Sequence, residues 1–389
     1  MAGAPLRNGR SARTRSSAFL LAWVWLAVIA YASLFPFGGW RWPPGLAALD
    51  MLSLPWPRYF IPFDIVSNLL AYLPFGLLVA LAVLRQGGKG VRAFAAGALA
   101  SAGLSYGLEV LQYLLPPRVP SLLDWVLNAG GGLLGALLAL LARQTGLLRV
   151  WQGWREHWLD HGNAGAMVLL IIWPAALMFP APMPLGLGQV VSVIRLGLQD
   201  ALAEVPWAQG LALALSSGPG SLATAAGTIG VSSQFAAVLL GMLSPCLLAF
   251  AAARPGWRRV WLVLGALTVG LLATTLSTLL NFGPDHALAW MSEPTLWALS
   301  IGTLTMMAML WCGQRLAAGL GLMALAGLAV LVNLAPSDPY FAQSLKAWEQ
   351  GRFIRLHGVT QWVGWLWPYM AMAWLLLRLA RPSRADHMP

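Results

Sequence analysis

Charged side chains are scarce in this sequence. They make up 10% of the 389 residues, whereas a soluble domain carries about 25%. Hydrophobic residues account for 59% of the chain, and several apolar runs approach or exceed about 18 residues, the length at which a helix crosses a bilayer. This composition excludes an ordinary soluble protein. The runs also lack alternating polarity, which argues against a transmembrane β-barrel.

Cysteine is nearly absent as well. The sequence contains two cysteines, Cys246 and Cys312, and both lie in or at the end of apolar runs. Neither belongs to a CxxC pattern or has a histidine nearby, so a cysteine-based zinc site is not indicated. We interpret both as packing residues.

The apolar runs predict the fold class, an all-α polytopic integral membrane protein with about ten transmembrane helices and both termini in the cytoplasm. The first run follows a basic N-terminus but lacks a small-residue cleavage site, so we expect a retained span and not a signal peptide. The predicted spans are residues 17–35, 64–84, 91–115, 121–142, 164–180, 231–253, 258–280, 295–313, 316–334 and 361–379.

The distribution of charge supports this orientation. The net charge is +11, and in the predicted topology most of the Lys and Arg residues fall in cytoplasmic segments, whereas most acids lie outside. This is the pattern of the positive-inside rule. Membrane orientation therefore accounts for the positive net charge of the chain, and we predict no nucleic-acid partner.

Polar residues concentrate where the second, third and fourth spans reach the predicted outer face. Glu109 lies seven residues before Pro116, about 10 Å below the end of its helix, and an ionisable group at such a depth normally faces a bundle interior or a wet cavity. We predict that the polar residues of these spans converge, with Ser121 as the N-cap of the fourth helix. These candidate residues are Asp64, Asn68, Glu109, Gln112, Arg118, Ser121, Asp124 and Asn128.

The same stretches carry a family resemblance. The segments "IPF" (Ile61–Phe63), "SNLLAYLPFG" (Ser67–Gly76) and the spacing E-x-x-Q then R-x-x-S-x-x-D-x-x-x-N-x-x-G-G (Glu109–Gly132) resemble the VanZ-like membrane protein family, over about residues 20–145. The resemblance implies a cell-envelope protein of the bacterial inner membrane and a link to low-level resistance to the glycopeptide teicoplanin. It implies a role for the candidate residues above, with Asp64 the loosest match.

We therefore predict three regions. Residues 1–145 form a VanZ-like four-helix membrane domain. Residues 146–163 form a cytoplasmic interfacial connector, in which His157 and His161 have metal-ligand spacing but no evident third ligand. Residues 164–389 form a six-helix membrane domain with long outer segments at 181–230 and 335–360; an interfacial helix is expected within Leu187–Val205.

Three functions fit the candidate residues. In the first, the site binds an anionic membrane lipid or a lipid-linked envelope precursor in the outer leaflet. Arg118 would hold a phosphate or carboxylate, and Asn68, Gln112 and Asn128 would orient headgroup oxygens, with Asp64 and Ser121 beside them.

In the second, Glu109 and Asp124 are catalytic and act as an acid–base pair on lipid headgroups. Their carboxylates and that of Asp64 have the chemistry to hold Mg²⁺ or Ca²⁺, but we assign no metal site and no cofactor. In the third, Glu109, Arg118 and Asp124 form a buried ionic network whose role is to lock the helices together.

Overall fold

The computed structural model describes residues 17–35, 37–59, 62–150, 153, 163–179, 181, 183–203, 205–216, 231–334 and 354–380. Their regular elements are helical, which confirms an all-α chain. The α-helices are α1 Ser17–Leu34, α2 Pro62–Arg85, α3 Gly90–Gln112, α4 Leu122–Gln144, α5 Ala164–Leu177, α6 Val190–Ala203, α7 Gln209–Ser216, α8 Val231–Ala252, α9 Arg259–Phe282, α10 Glu293–Ala308, α11 Gln314–Leu334 and α12 Ile354–Ala380.

Each predicted span coincides with one of these helices, but the number of spans is not confirmed. Within the described residues, 8 helices are long and apolar enough to cross a membrane. The other two are α5, with 14 residues, and α10, with 16 residues. At about 1.5 Å per residue they fall short of a hydrocarbon core of about 30 Å. The cytoplasmic location of both termini stays a prediction.

The chain divides into two units, residues 1–150 and residues 151–389. In the first unit, α2 packs against α4 through glycines. A Cβ atom on Gly76 would collide with the backbone of Gly132, and one on Gly135 would collide with the carbonyl of Leu73. Gly131 and Gly135 form a GxxxG pattern, which together with Gly76 predicts that helices approach closely here, and these contacts confirm that prediction. Because α2 and α4 are in direct contact, the polar residues near their ends lie in one region of the unit.

The second unit is built around α8. Within the most hydrophobic 18-residue stretch of this helix, 72% of the residues are buried. The helix forms one hydrophobic core with parts of α5, α9, α10, α11 and α12. Cys246 is completely buried in that core, and Cys312 packs against it, so both cysteines are packing residues as predicted.

Several predicted features lie partly or wholly outside the described residues. The helix expected within Leu187–Val205 is present as α6. His157 and His161 of the connector are not described, nor are residues 217–230 and 335–353 of the two long outer segments.

A candidate site at the end of the α1–α4 bundle

Glu109 connects α3 to the start of α4. It lies on the last turn of α3 and is 4% exposed. Its Oε2 accepts a hydrogen bond of 2.9 Å from the backbone N–H of Ser121. Ser121 is the N-cap of α4, and its hydroxyl accepts the backbone N–H of Asp124 at 3.3 Å. The predicted cap is confirmed, and the carboxylate lies near the positive end of the α4 dipole, where negative charge is stabilised.

Two further charges act on Glu109. Arg118 lies in the turn between α3 and α4, and Asp124 lies in the first turn of α4; both interact electrostatically with Glu109. Each of the two is half-buried. The structure therefore brings together the three charged residues that the sequence placed at this end of the bundle.

Arg118 is bonded to the end of α1. Its Nε donates to the carbonyl of Phe35 at 3.0 Å, and its Nη2 donates to the carbonyls of Phe35 at 2.7 Å and Ala32 at 2.8 Å. Gln112 adds a bond of 3.3 Å from Nε2 to the carbonyl of Ser33. The last carbonyls of a helix lack intrahelical donors, so these two side chains complete the C-terminus of α1. Two residues predicted to face a ligand thus hold a neighbouring helix.

Asn128 belongs to a second polar group, one turn deeper. Its Nδ2 donates to the Ser105 hydroxyl at 2.9 Å, and Ser105 also interacts with the hydroxyl of the buried Tyr72. Among the described residues, no partner bonds to the buried Oδ1 of Asn128. Sequence reasoning missed Ser105, although it precedes Glu109 by four residues and therefore lies on the same helical face.

The two candidates on α2 are more open. Asp64 is exposed and Asn68 is half-buried. In the part of the chain that the structure describes, no three His, Cys, Asp or Glu side chains come close enough to hold a metal ion. The three-carboxylate arrangement of Asp64, Glu109 and Asp124 is therefore not formed.

The segment of residues 37–59, here called the aromatic cap, folds over this end of the bundle. It joins α1 to α2, and four hydrogen bonds attach it to α3, α4 and the turn between them. They run from Tyr106 Oη to the Leu52 carbonyl (2.6 Å), from Tyr113 Oη to the Ser53 carbonyl (2.6 Å), from Leu122 N to the Pro55 carbonyl (2.9 Å) and from Arg41 N to the Leu114 carbonyl (3.0 Å).

The aromatic cap has an apolar inner side and a mixed outer side. Met51 and Leu54 are buried. Trp40, Trp42, Trp56 and Tyr59 are exposed, Tyr59 to 87%, and Arg41 and Arg58 are exposed as well. This segment was not predicted from the sequence. The signal was present in "WRWPPGLAALDMLSLPWPRY" (Trp40–Tyr59), because tryptophan and tyrosine are enriched at membrane interfaces.

Comparison with known proteins identifies the region that carries this site. Residues 16–143 match the family model VanZ/LLP1, which confirms the resemblance drawn from the motifs. The matched range contains α1–α3, the aromatic cap and nearly all of α4. No curated protein and no solved structure matches the chain.

Proposed function

Because residues 16–143 are a VanZ-like segment of a multi-pass membrane protein, we propose that the chain binds an anionic lipid or a lipid-linked headgroup at the outer leaflet of the bacterial inner membrane. The aromatic cap is the observation that supports this most directly. The link to glycopeptide resistance that the resemblance implies belongs to the same proposal, since such a site would act on envelope precursors.

The position of the aromatic cap follows from its connections. α1 ends at Leu34 and α2 begins at Pro62, and both helices are candidate spans. A segment that joins the ends of two spans on one side lies at the membrane surface. Its exposed indole and phenol rings suit the headgroup layer, where one edge meets water and the other meets acyl chains.

The charges around the aromatic cap suit an anionic headgroup. Arg41 and Arg58 are exposed, and the backbone of Arg41 is bonded to Leu114, four residues before Arg118. Arg118 adds a third guanidinium group at the same end of the bundle, beside Glu109. Guanidinium groups bind phosphate and carboxylate with strong, directional hydrogen bonds. The exposed Asp64 and the half-buried Asn68 and Asp124 would face the hydroxyls of a sugar or glycerol headgroup.

Burial divides the candidate residues into a more exposed and a buried group. Glu109, Gln112, Ser121 and Asn128 are all buried, and each is bonded to another part of the protein. An acid–base enzyme would need Glu109 to reach its substrate, and the 4% exposure of this side chain favours a positioning role. A purely structural role predicts that changes at the exposed Arg41 and Arg58 have no effect on bound lipid, which makes them the informative positions.

The test is mass spectrometry of lipids retained by the detergent-purified protein. Wild type is compared with Arg41→Gln/Arg58→Gln and with Lys89→Gln/Arg92→Gln, which removes two exposed basic residues at the opposite, predicted cytoplasmic end. We expect an anionic lipid or lipid-linked sugar on the wild type and the control, and its loss from the first variant.

Identical lipids on all three proteins would contradict the binding proposal and favour a structural role. A bound precursor that accumulates on Glu109→Gln, with normal folding, would instead favour the enzyme.

A further inference from the structure

A second basic site lies in the other unit, in the loop between α8 and α9. The loop encloses a cavity of about 210 Å³ lined by Arg254, Gly256, Trp257, Arg258, Arg259 and Leu262, among others. Three of these residues are arginines within six positions of the sequence. The cavity lies outside the residues matched by the family model, so it is independent of the function proposed above.

Arg259 forms a rigid base for this cavity. Its side chain is completely buried, and its guanidinium lies 4.5 Å from the centre of the Phe250 ring. It donates to the carbonyls of Phe250 at 2.7 Å and Ala253 at 2.8 Å, where α8 ends, and to those of Leu310 at 3.2 Å and Cys312 at 2.8 Å, just after α10. A cation at the negative ends of two helices is stabilised by their dipoles.

The guanidinium of Arg259 is fixed in position by hydrogen bonds to carbonyl groups, which do not neutralise its charge. The oxygens that accept its hydrogen bonds are uncharged backbone carbonyls, so a positive charge remains beside the cavity. In the described part of the chain, its buried Nε has no hydrogen-bond partner. An anion entering the cavity would therefore meet a fixed positive charge whose position is set by two helix ends.

The rim of the cavity combines charge with an aromatic ring. Arg254 is exposed, Arg258 is half-buried, and Trp257 is 62% exposed. Gly256 has a φ of +139°, a conformation that residues with a side chain rarely adopt, and its N–H donates to the Leu310 carbonyl at 3.0 Å. This hydrogen bond ties the loop to the segment that follows α10.

We propose that this cavity binds the phosphate of an anionic phospholipid in the cytoplasmic leaflet. The loop joins Ala252, the end of α8, to Arg259, the start of α9, and both helices are candidate spans. The cavity therefore lies at a membrane surface, and the charge pattern of the sequence predicts that this surface is cytoplasmic. Arginines there attract anionic headgroups. Trp257 and Leu262 also line the cavity and provide apolar contacts for acyl chains. A free phosphate ion has no acyl chain and would not use these contacts.

The test is native mass spectrometry of the full chain in detergent, with phosphatidylglycerol or phosphatidylcholine of equal chain length as the probe. All proteins compared carry Arg41→Gln/Arg58→Gln, so that lipid at the aromatic cap does not contribute to the signal. On this background the variants are Arg254→Gln/Arg258→Gln, Arg254→Lys/Arg258→Lys, and the control Lys89→Gln/Arg92→Gln, each checked for unchanged elution and melting. We expect the background protein and the control to retain phosphatidylglycerol over phosphatidylcholine. The glutamine variant should lose about tenfold or more in retention, since each surface cation contributes measurably to binding anionic lipid, and the lysine variant should keep most of it.

Two results would overturn the proposal. Equal retention of phosphatidylglycerol by the glutamine variant and the control would show that the cavity is not the site. Displacement of phosphatidylglycerol by inorganic phosphate, with phosphate bound in its place, would assign the cavity to a soluble phosphate compound instead of a lipid. Neither result bears on the aromatic cap, because its two arginines are replaced in every protein of this comparison.

Discussion

The buried carboxylate of Glu109 accepts the backbone N–H of Ser121 at 2.9 Å, which joins the last turn of one helix to the N-cap of the next. This bond spans the Pro116–Pro117 turn. It explains how an acidic residue is accommodated near the end of a membrane-spanning helix, since its charge is met by a helix N-terminus and by Arg118.

Replacement of Glu109 should distinguish the hydrogen bond from the charge. Glu109→Ala leaves the N–H of Ser121 without its acceptor, which costs about 1–3 kcal/mol for a buried group. Glu109→Gln keeps an acceptor oxygen and should cost less. The melting temperature of the purified protein in detergent measures both, with Gln86→Ala, at an exposed position, as the control. An alanine variant as stable as the wild type would refute the role of this bond.

Arg118→Lys should loosen the end of α1. A single ammonium group cannot reproduce the bonds that Nε and Nη2 of Arg118 make to Phe35 and Ala32. Each bond from a charged donor contributes about 1.5–3 kcal/mol, so amide hydrogen exchange at the C-terminal end of α1 should become about tenfold faster or more. Arg92→Lys, at an exposed position on α3, is the control. Unchanged exchange would mean that other contacts hold α1.

Gly76→Ala should destabilise the first unit, because the new methyl group meets the backbone of Gly132. Overpacking of this kind costs about 1–3 kcal/mol. Gly103 is a matched control on α3, since a Cβ atom there meets nothing within 4 Å; Gly103→Ala should be neutral or stabilising by about 0.5–1 kcal/mol. Melting curves of both variants test the helix interface, and equal behaviour would disprove the close packing of α2 on α4.

Ser105 and Asn128 should be energetically coupled. Their bond of 2.9 Å predicts that Ser105→Ala and Asn128→Ala are not additive, with a coupling of about 0.6 kcal/mol, as for hydrogen bonds between membrane helices. A double-mutant cycle from unfolding free energies measures it. The control cycle pairs Ser105→Ala with Gln86→Ala and should be additive. Additivity in both cycles would mean that this bond makes no net contribution.

Tyr106→Phe/Tyr113→Phe should release the aromatic cap without unfolding the bundle. The two lost hydroxyls donate to the carbonyls of Leu52 and Ser53, each for about 1 kcal/mol. We expect faster amide exchange in the cap and less co-purified anionic lipid, while α2–α4 stay protected. Tyr59→Phe, at a ring that is 87% exposed, is the control. Normal lipid retention by a protein with a released cap would count against the cap as part of the binding site.

The interpretations that needed only local information agree with the structure. Hydrophobic runs predict helices because a chain in a membrane must satisfy its backbone hydrogen bonds within each segment. The Ser121 cap and the glycine contacts of α2 and α4 also follow from short spacings. The number of spans could not be predicted from local information. It depends on the lengths of α5 and α10, and hydropathy alone does not define where a helix ends.

The role of Arg118 shows what only the tertiary structure decided. The sequence determined that this arginine lies beside Glu109 and Asp124, which made an anion site the natural expectation. Its hydrogen-bond acceptors, Phe35 and Ala32, lie at the C-terminal end of α1, 83 and 86 positions earlier in the chain. Which helix end lies within reach of a guanidinium depends on how the helices pack. The same holds for the aromatic cap and for Arg259, whose hydrogen-bond partners also lie on other helices or helix ends. Composition and spacing determined a hydrophobic, helical membrane chain with clustered polar residues, and packing decided which of those polar groups join helices and which stay exposed.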